Sequence, residues 1–283
     1  MKLYVVLILA LIQGATELLP VSSSAHVIVA EKLLGLDPSS PEMTFLLVML
    51  HTGTMFAVLA YFWKRWRPLL HARFIKAVVV ATLCTGVVGF GLKKAIEKIV
   101  LEKVLGHEKG EVEHLFDVLP LIAVALVAAG ALIFFSGRRP ASTDASDEKL
   151  DATSASYIGV TQGLCLPFRG FSRSGATISV ALFRGVPRAL AEDFSFALAV
   201  VLTPGVVLLE LKRLIDAKGG HVSDLKGMSE LVLPGLIGMV ASFVSGMLAL
   251  RWLSSWLEHG KWKFFGLYCF GFAAVVLVVN FVG

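Results

Sequence analysis

Charge is scarce in this chain. Asp, Glu, Lys and Arg make up 17% of its 283 residues, where a soluble domain carries about 25%. Cysteine is scarcer still: Cys84, Cys165 and Cys269 each lie in an apolar stretch, with no CxxC or Cys/His spacing. That excludes a disulfide framework and reads as three packed core residues. Also missing is any polar segment long enough for a separate soluble domain. No small-residue cleavage site follows the apolar Leu3–Ile12, which runs straight into Gln13-Gly-Ala-Thr-Glu17. The N-terminal stretch is therefore expected to belong to the mature protein and not to a signal peptide.

What the chain has in quantity is hydrocarbon. Hydrophobic residues make up 56% of it and the mean hydropathy is +0.78. Six stretches have the length of about 17–25 residues that crosses roughly 30 Å of lipid: 44–63, 75–92, 118–135, 193–211, 231–250 and 264–282. The class is thus an all-α polytopic membrane protein. The net charge of +5 does not point to nucleic acid, because the basic residues sit in short loops between apolar spans, where they set topology.

Two further segments, 3–34 and 157–183, are apolar but interrupted by Gly, Pro, Ser and charge. Laid on each other at an offset of 149, Gln13-Gly14 falls on Gln162-Gly163, Ser23 on Ser172 and Ser24 on Arg173. If each is a re-entrant helical hairpin, three full spans separate the copies, and an odd number places them on opposite faces of the bilayer. The expectation is one membrane domain over 1–283, with an inverted-topology repeat of halves near 1–135 and 155–283 and a polar linker at 136–154. Eight of the nine loop arginines fall on one side of this arrangement, which makes that side cytoplasmic and both termini external. Lys93–Phe116 mixes apolar and charged residues at helical spacing and reads as an external amphipathic helix.

Glu17 is the sharpest single residue. A carboxylate in an apolar segment is costly, so it should have a function and a cationic partner. Gln13 lies one turn earlier on the same face, and an oxygen pair of this kind suits a hard cation such as Mg²⁺ or Ca²⁺. Pro20 then breaks the helix, and Ser22, Ser23, Ser24 and His26 follow. Ser23 and His26 have the spacing of a nucleophile and its base, or equally of a serine-rich helix cap. In the second segment, Arg169, Gly170, Ser172, Arg173, Ser174, Gly175 and Thr177 outline an anion receptor: glycines let backbone N–H groups approach an oxyanion, and arginine grips phosphate bidentately. Arg173 is equally the natural ion-pair partner of Glu17. His51, inside a span beside Thr52, reads as a hydrogen-bonded core residue.

The runs Gln13-Gly-Ala-Thr-Glu-Leu-Leu-Pro-Val-Ser-Ser-Ser-Ala-His26 and Gly170-Phe-Ser-Arg-Ser-Gly-Ala-Thr177 resemble the undecaprenyl-pyrophosphate phosphatase family, the bacterial bacitracin-resistance proteins. The resemblance spans the chain and includes Glu192–Ala199. It implies hydrolysis of a polyprenyl pyrophosphate to the monophosphate carrier lipid of cell-wall synthesis, with a divalent metal, at an outward-facing site in the bacterial cytoplasmic membrane. Carried over, Glu17 with Gln13 is implied in metal binding, Arg173 in gripping pyrophosphate, and Ser23 or His26 as nucleophile or base. Two departures stand out: Arg169 replaces the proline usual before Gly170, and Ala25 replaces the glycine usual before the histidine. The rival reading is a transporter or flippase of a phosphorylated polyprenyl lipid, since inverted repeats with broken helices also build carriers. The small-residue stretch Gly235–Gly246 would serve either a homodimer contact or packing against its own neighbours.

Overall fold

A computed structural model describes residues 2–37, 40–98, 118–139, 149–217 and 225–282. Among them are ten α-helices and no strand: α1 (Leu3–Leu18), α2 (Ser23–Leu33), α3 (Pro41–Trp66), α4 (Ala72–Ala95), α5 (Leu119–Ser136), α6 (Ala152–Cys165), α7 (Arg173–Phe183), α8 (Arg188–Ala217), α9 (Leu225–Glu258) and α10 (Lys263–Val282). The amphipathic helix expected over Lys93–Phe116 and the linker's 140–148 lie for the most part outside the described residues. Asp151 ends the linker by capping α6, accepting the Ser154 backbone N–H at 2.8 Å. That bond holds its carboxyl below the ordinary aspartate value.

Among the described residues, five helical stretches are long and apolar enough to cross a membrane: Glu42–Leu69, Ala72–Lys98, Leu119–Ser136, Val232–Glu258 and Lys263–Phe281. They account for five of the six expected spans. The sixth, 193–211, lies within α8, whose first two turns carry the acidic pair Glu192 and Asp193. Those charges are paired inside the protein. Arg65 on α3 stands 3.1 Å from Glu192 and 3.0 Å from Asp193, Ser254 on α9 donates to Glu192, and Trp66 Nε1 donates to the Asp193 carbonyl at 3.1 Å. Large apolar side chains such as Leu83, Val87, Phe90, Leu248 and Phe281 point outward, as a lipid-facing surface requires.

The two interrupted segments fold as pairs of short helices. Their arms, of 16 and 11 residues in the first pair and 14 and 11 in the second, reach only about 17–24 Å at 1.5 Å per residue, short of the hydrocarbon thickness. Packing across the halves is reciprocal: α1 lies on α9 and α6 on α4, while α3 meets α8 and α5 meets α10. The two close crossings repeat one pattern of contacts. A Cβ on Gly14 would stand 2.5 Å from the Ser242 carbonyl oxygen, 2.7 Å from Ser245 Cβ and 3.1 Å from Gly246 N. On Gly163 it would stand 2.9 Å from the Thr85 carbonyl oxygen, 2.9 Å from Val88 Cβ and 3.0 Å from Gly89 N. The glycines aligned by the offset thus make the same contact with residues i, i+3 and i+4 of a long helix in the other half.

Within the chain, the glycines of Gly235–Gly246 pack against its own helices. Gly235 abuts Phe45 and Met49, Gly238 abuts Leu50 and Val6, and Gly246 abuts Leu18 and Ala57. The stretch seats α9 on α1 and α3 of its own chain. Cys165 and Cys269 are buried and Cys84 is partly so, all three free.

Candidate active site

The site lies where the breaks of the two short-helix pairs meet. In the first, α1 ends at Leu18 and the chain turns through Leu19–Ser22. Ser22 adopts φ 67°, which among the described residues no other non-glycine residue does in the left-handed region. Such a residue stores strain and persists because its surroundings hold it. The turn lets α2 restart at Ser23, so that the Ser23 hydroxyl donates back to Glu17 Oε2. Gln13 Nε2 donates to the same oxygen at 3.3 Å.

In the second break, Gly170 takes φ 96° and its α-carbon lies against Ile122, whose carbonyl oxygen would stand 2.5 Å from any Cβ. Ser172 caps α7, its hydroxyl accepting the Gly175 N–H at 3.2 Å. Arg173, the first residue of α7, donates from Nη2 to Glu17 Oε1 at 2.9 Å. Thr177 holds the turn from below, donating to the Arg173 carbonyl at 2.9 Å and sharing a hydrogen bond of 2.6 Å with Ser195 on α8. The breaks also touch directly: the Gly170 N–H reaches the Ser24 hydroxyl at 3.4 Å and the Ser174 hydroxyl the Leu19 carbonyl at 3.5 Å. Ser22 bonds Ser24 at 3.2 Å, and Arg169 sits half-buried in the second turn.

Electrostatically the site sets a carboxylate against a guanidinium and two helix N-termini. The N-termini of α2 and α7 converge on Glu17, and helix N-termini carry unpaired N–H groups and partial positive charge. The Glu17 and Arg173 side chains are 15% and 25% exposed, so the pair is reachable from outside yet shielded on most sides.

His26 does not take part in the pairing that its spacing suggested. Its Nδ1 lies 2.8 Å from the Ser22 carbonyl and its Nε2 lies 2.8 Å from the Tyr268 hydroxyl. A carbonyl only accepts, so Nδ1 carries the proton and Nε2 accepts from tyrosine. The ring also stacks on Phe272 at 3.7 Å. Ser23 is thus paired with Glu17, while His26 secures the strained Ser22 and ties α2 to α10.

Sequence reasoning passed over three residues. Tyr268 and Ser195 are isolated hydroxyls whose roles depend on contacts 242 and 18 residues away in the chain. His51 reads from the sequence as a core residue. Its Nδ1 is indeed bonded to the Leu47 carbonyl at 2.8 Å, but its Nε2 faces Glu17 Oε2 at 3.9 Å. A titratable ring within an apolar span was the available signal.

Among the described residues no three His, Cys, Asp or Glu side chains gather to cage a metal. The donors present, the Glu17 carboxylate with the Gln13 amide beside it, fit a cation that shares its shell with phosphate oxygens and water, as Mg²⁺ does in phosphoryl-transfer sites.

The fold and this site together define a helical membrane protein in which Glu17 and Arg173 meet between two broken helices. The family described as bacitracin resistance protein BacA matches residues 6–275. Undecaprenyl-diphosphatase 2 of Acinetobacter baylyi is 53% identical, over 99% of this chain and 98% of that protein. The proteins of the same name from Burkholderia thailandensis and Burkholderia ambifaria are 32% and 30% identical, covering 95% and 100% of this chain and 94% and 97% of theirs. This chain belongs to the bacitracin resistance protein BacA family.

Proposed function

We propose that this protein hydrolyses undecaprenyl pyrophosphate to undecaprenyl phosphate and inorganic phosphate, recycling the carrier lipid of cell-wall synthesis and thereby conferring bacitracin resistance. The observation that carries the reading is the meeting of Glu17, Ser23 and Arg173 at two helix N-termini, in a chain this similar to proteins named for that activity.

Phosphoryl transfer needs charge neutralisation and an in-line nucleophile. Arg173 and the first-turn N–H groups of α7, over Ser174–Thr177, receive the pyrophosphate, with Arg169 and the hydroxyls of Ser22 and Ser172 at its edge. Substrate draws Arg173 from Glu17 and frees the carboxylate. The Ser23 oxygen attacks the terminal phosphorus while its proton passes to Glu17, whose hydrogen bond already defines that path. The bond to the bridging oxygen breaks, the lipid monophosphate leaves, and water hydrolyses the phosphoserine. His26 holds the loop that presents Ser23. Glu17 and Gln13 would hold Mg²⁺ or Ca²⁺, which supplies neutralisation of phosphoryl charge when bound. The reciprocal packing of the halves supports an inverted repeat within a single membrane domain, halves near 1–135 and 155–283, whose site opens to the outer face. The lipid tail departs sideways between helices into the bilayer.

The alternative is a carrier of the same lipid. Proteoliposomes loaded on one side with a lipid pyrophosphate separate the two. Phosphate release that stops with EDTA and returns with divalent cation is the expected result. Transfer of intact pyrophosphate lipid across the bilayer without phosphate release would favour the carrier.

A further inference from the structure

The reaction sequence above leaves His51 without a task. It stands on α3 within a membrane-crossing stretch, and its side chain is 35% exposed. The Leu47 carbonyl one turn earlier takes its Nδ1 proton at 2.8 Å, so in the neutral ring the lone pair belongs to Nε2. That atom faces Glu17 Oε2 at 3.9 Å. The distance is too long for a hydrogen bond, and a lone pair opposite a carboxylate gains nothing from being there. Two ligands of one ion with bonds of about 2.0–2.2 Å stand about 3–3.6 Å apart, so a small side-chain shift from 3.9 Å would let both atoms bind one cation. A carbonyl on the far ring nitrogen is also what orients metal-binding imidazoles. The other imidazole at the site, His26, has both nitrogens engaged.

We propose that His51 Nε2 and the Glu17 carboxylate take the same divalent cation, with pyrophosphate oxygens and water completing its shell. This rests on the phosphatase reading and adds a nitrogen donor to its metal site. An imidazole beside carboxylate and amide oxygens also admits Mn²⁺, which makes that ion a usable probe. His51 therefore belongs to the site as a ligand and not to the core as a packed histidine.

The probe is Mn²⁺ added to the purified full-length chain in detergent, without substrate, observed by electron spin echo modulation. Nitrogen modulation is expected, changing in frequency when the protein carries isotope-labelled histidine. It should persist in His26→Gln and vanish in His51→Gln, with Mn²⁺ affinity falling about tenfold or more. A wild-type spectrum without histidine nitrogen overturns the proposal, even if the His51 variant fails to fold, and so does modulation that survives His51→Gln. Phosphate release by the wild-type protein is measured in parallel. Release without histidine nitrogen removes His51 alone, whereas absence of release removes the phosphatase reading.

Discussion

Replacing Arg173 with alanine should lower kcat/KM for a polyprenyl pyrophosphate by about a thousandfold. In the resting site Arg173 Nη2 donates to Glu17 Oε1 at 2.9 Å, and a guanidinium has five N–H donors in all, so most of its fork can engage phosphate. With its side chain 25% exposed, the effective dielectric lies between water and interior. One charge pair at about 4 Å is then worth about 4 kcal/mol at a dielectric of about 20. Loss of that contact in the transition state corresponds to about three powers of ten. Lysine keeps the charge without the planar fork, so Arg173→Lys should recover about tenfold of the loss. Phosphate release in detergent gives the rates, and thermal unfolding run beside it separates chemistry from folding. Alanine leaves the Glu17 carboxylate without its partner, so Arg173→Ala should also melt earlier. Adding Glu17→Gln removes that stranded charge and should restore stability without restoring activity. Activity within threefold of wild type in Arg173→Ala, or rescue of activity by Glu17→Gln, would refute a substrate-gripping arginine and leave only an ion pair joining the halves.

Other outcomes follow from the same geometry. Gly170→Ala puts a methyl against the Ile122 carbonyl at a φ of 96°; destabilisation of about 1–3 kcal/mol with loss of activity is expected, measured by thermal unfolding and phosphate release. Ser23→Ala should abolish turnover, and acid-quenched wild-type enzyme should yield a phosphopeptide containing Ser23; its absence at all quench times would transfer the attack to water. Tyr268→Phe removes the donor to His26 Nε2 and should cost less than about 1.5 kcal/mol of stability, with a smaller rate loss than Ser23→Ala. If Tyr268→Phe instead matches Ser23→Ala in activity while melting normally, His26 takes part in proton transfer.

How much of this could be read from residues alone varies with the kind of interaction. The Glu17–Arg173 pair was legible, because a charge in an apolar run must find its opposite and few candidates exist. So were the two helix breaks, since Pro20 and Gly170 interrupt periodicity outright, and the equivalence of Gly14 and Gly163, which a single offset reveals. Hydroxyl and imidazole partners were not. Ser23 and His26 share a helix, and spacing alone joins them, but the positive φ at Ser22 turns Ser23 back toward α1 while His26 faces α10. No periodicity links His26 to Tyr268 across 242 residues. The pairing of Glu192 and Asp193 at the start of α8 was not legible either, because Arg65, their partner, belongs to a different helix.

The central claim is that Glu17 and Arg173, from two halves of the chain, form one hydrolytic site. It is tested most directly by the products formed when purified protein in detergent, where no second compartment exists for transport, meets undecaprenyl pyrophosphate and divalent cation. The account predicts equal amounts of inorganic phosphate and undecaprenyl monophosphate from the wild-type chain, and neither above background from Glu17→Gln or Arg173→Ala. Substrate recovered intact with the folded wild-type protein, or undiminished release by either variant, would contradict it.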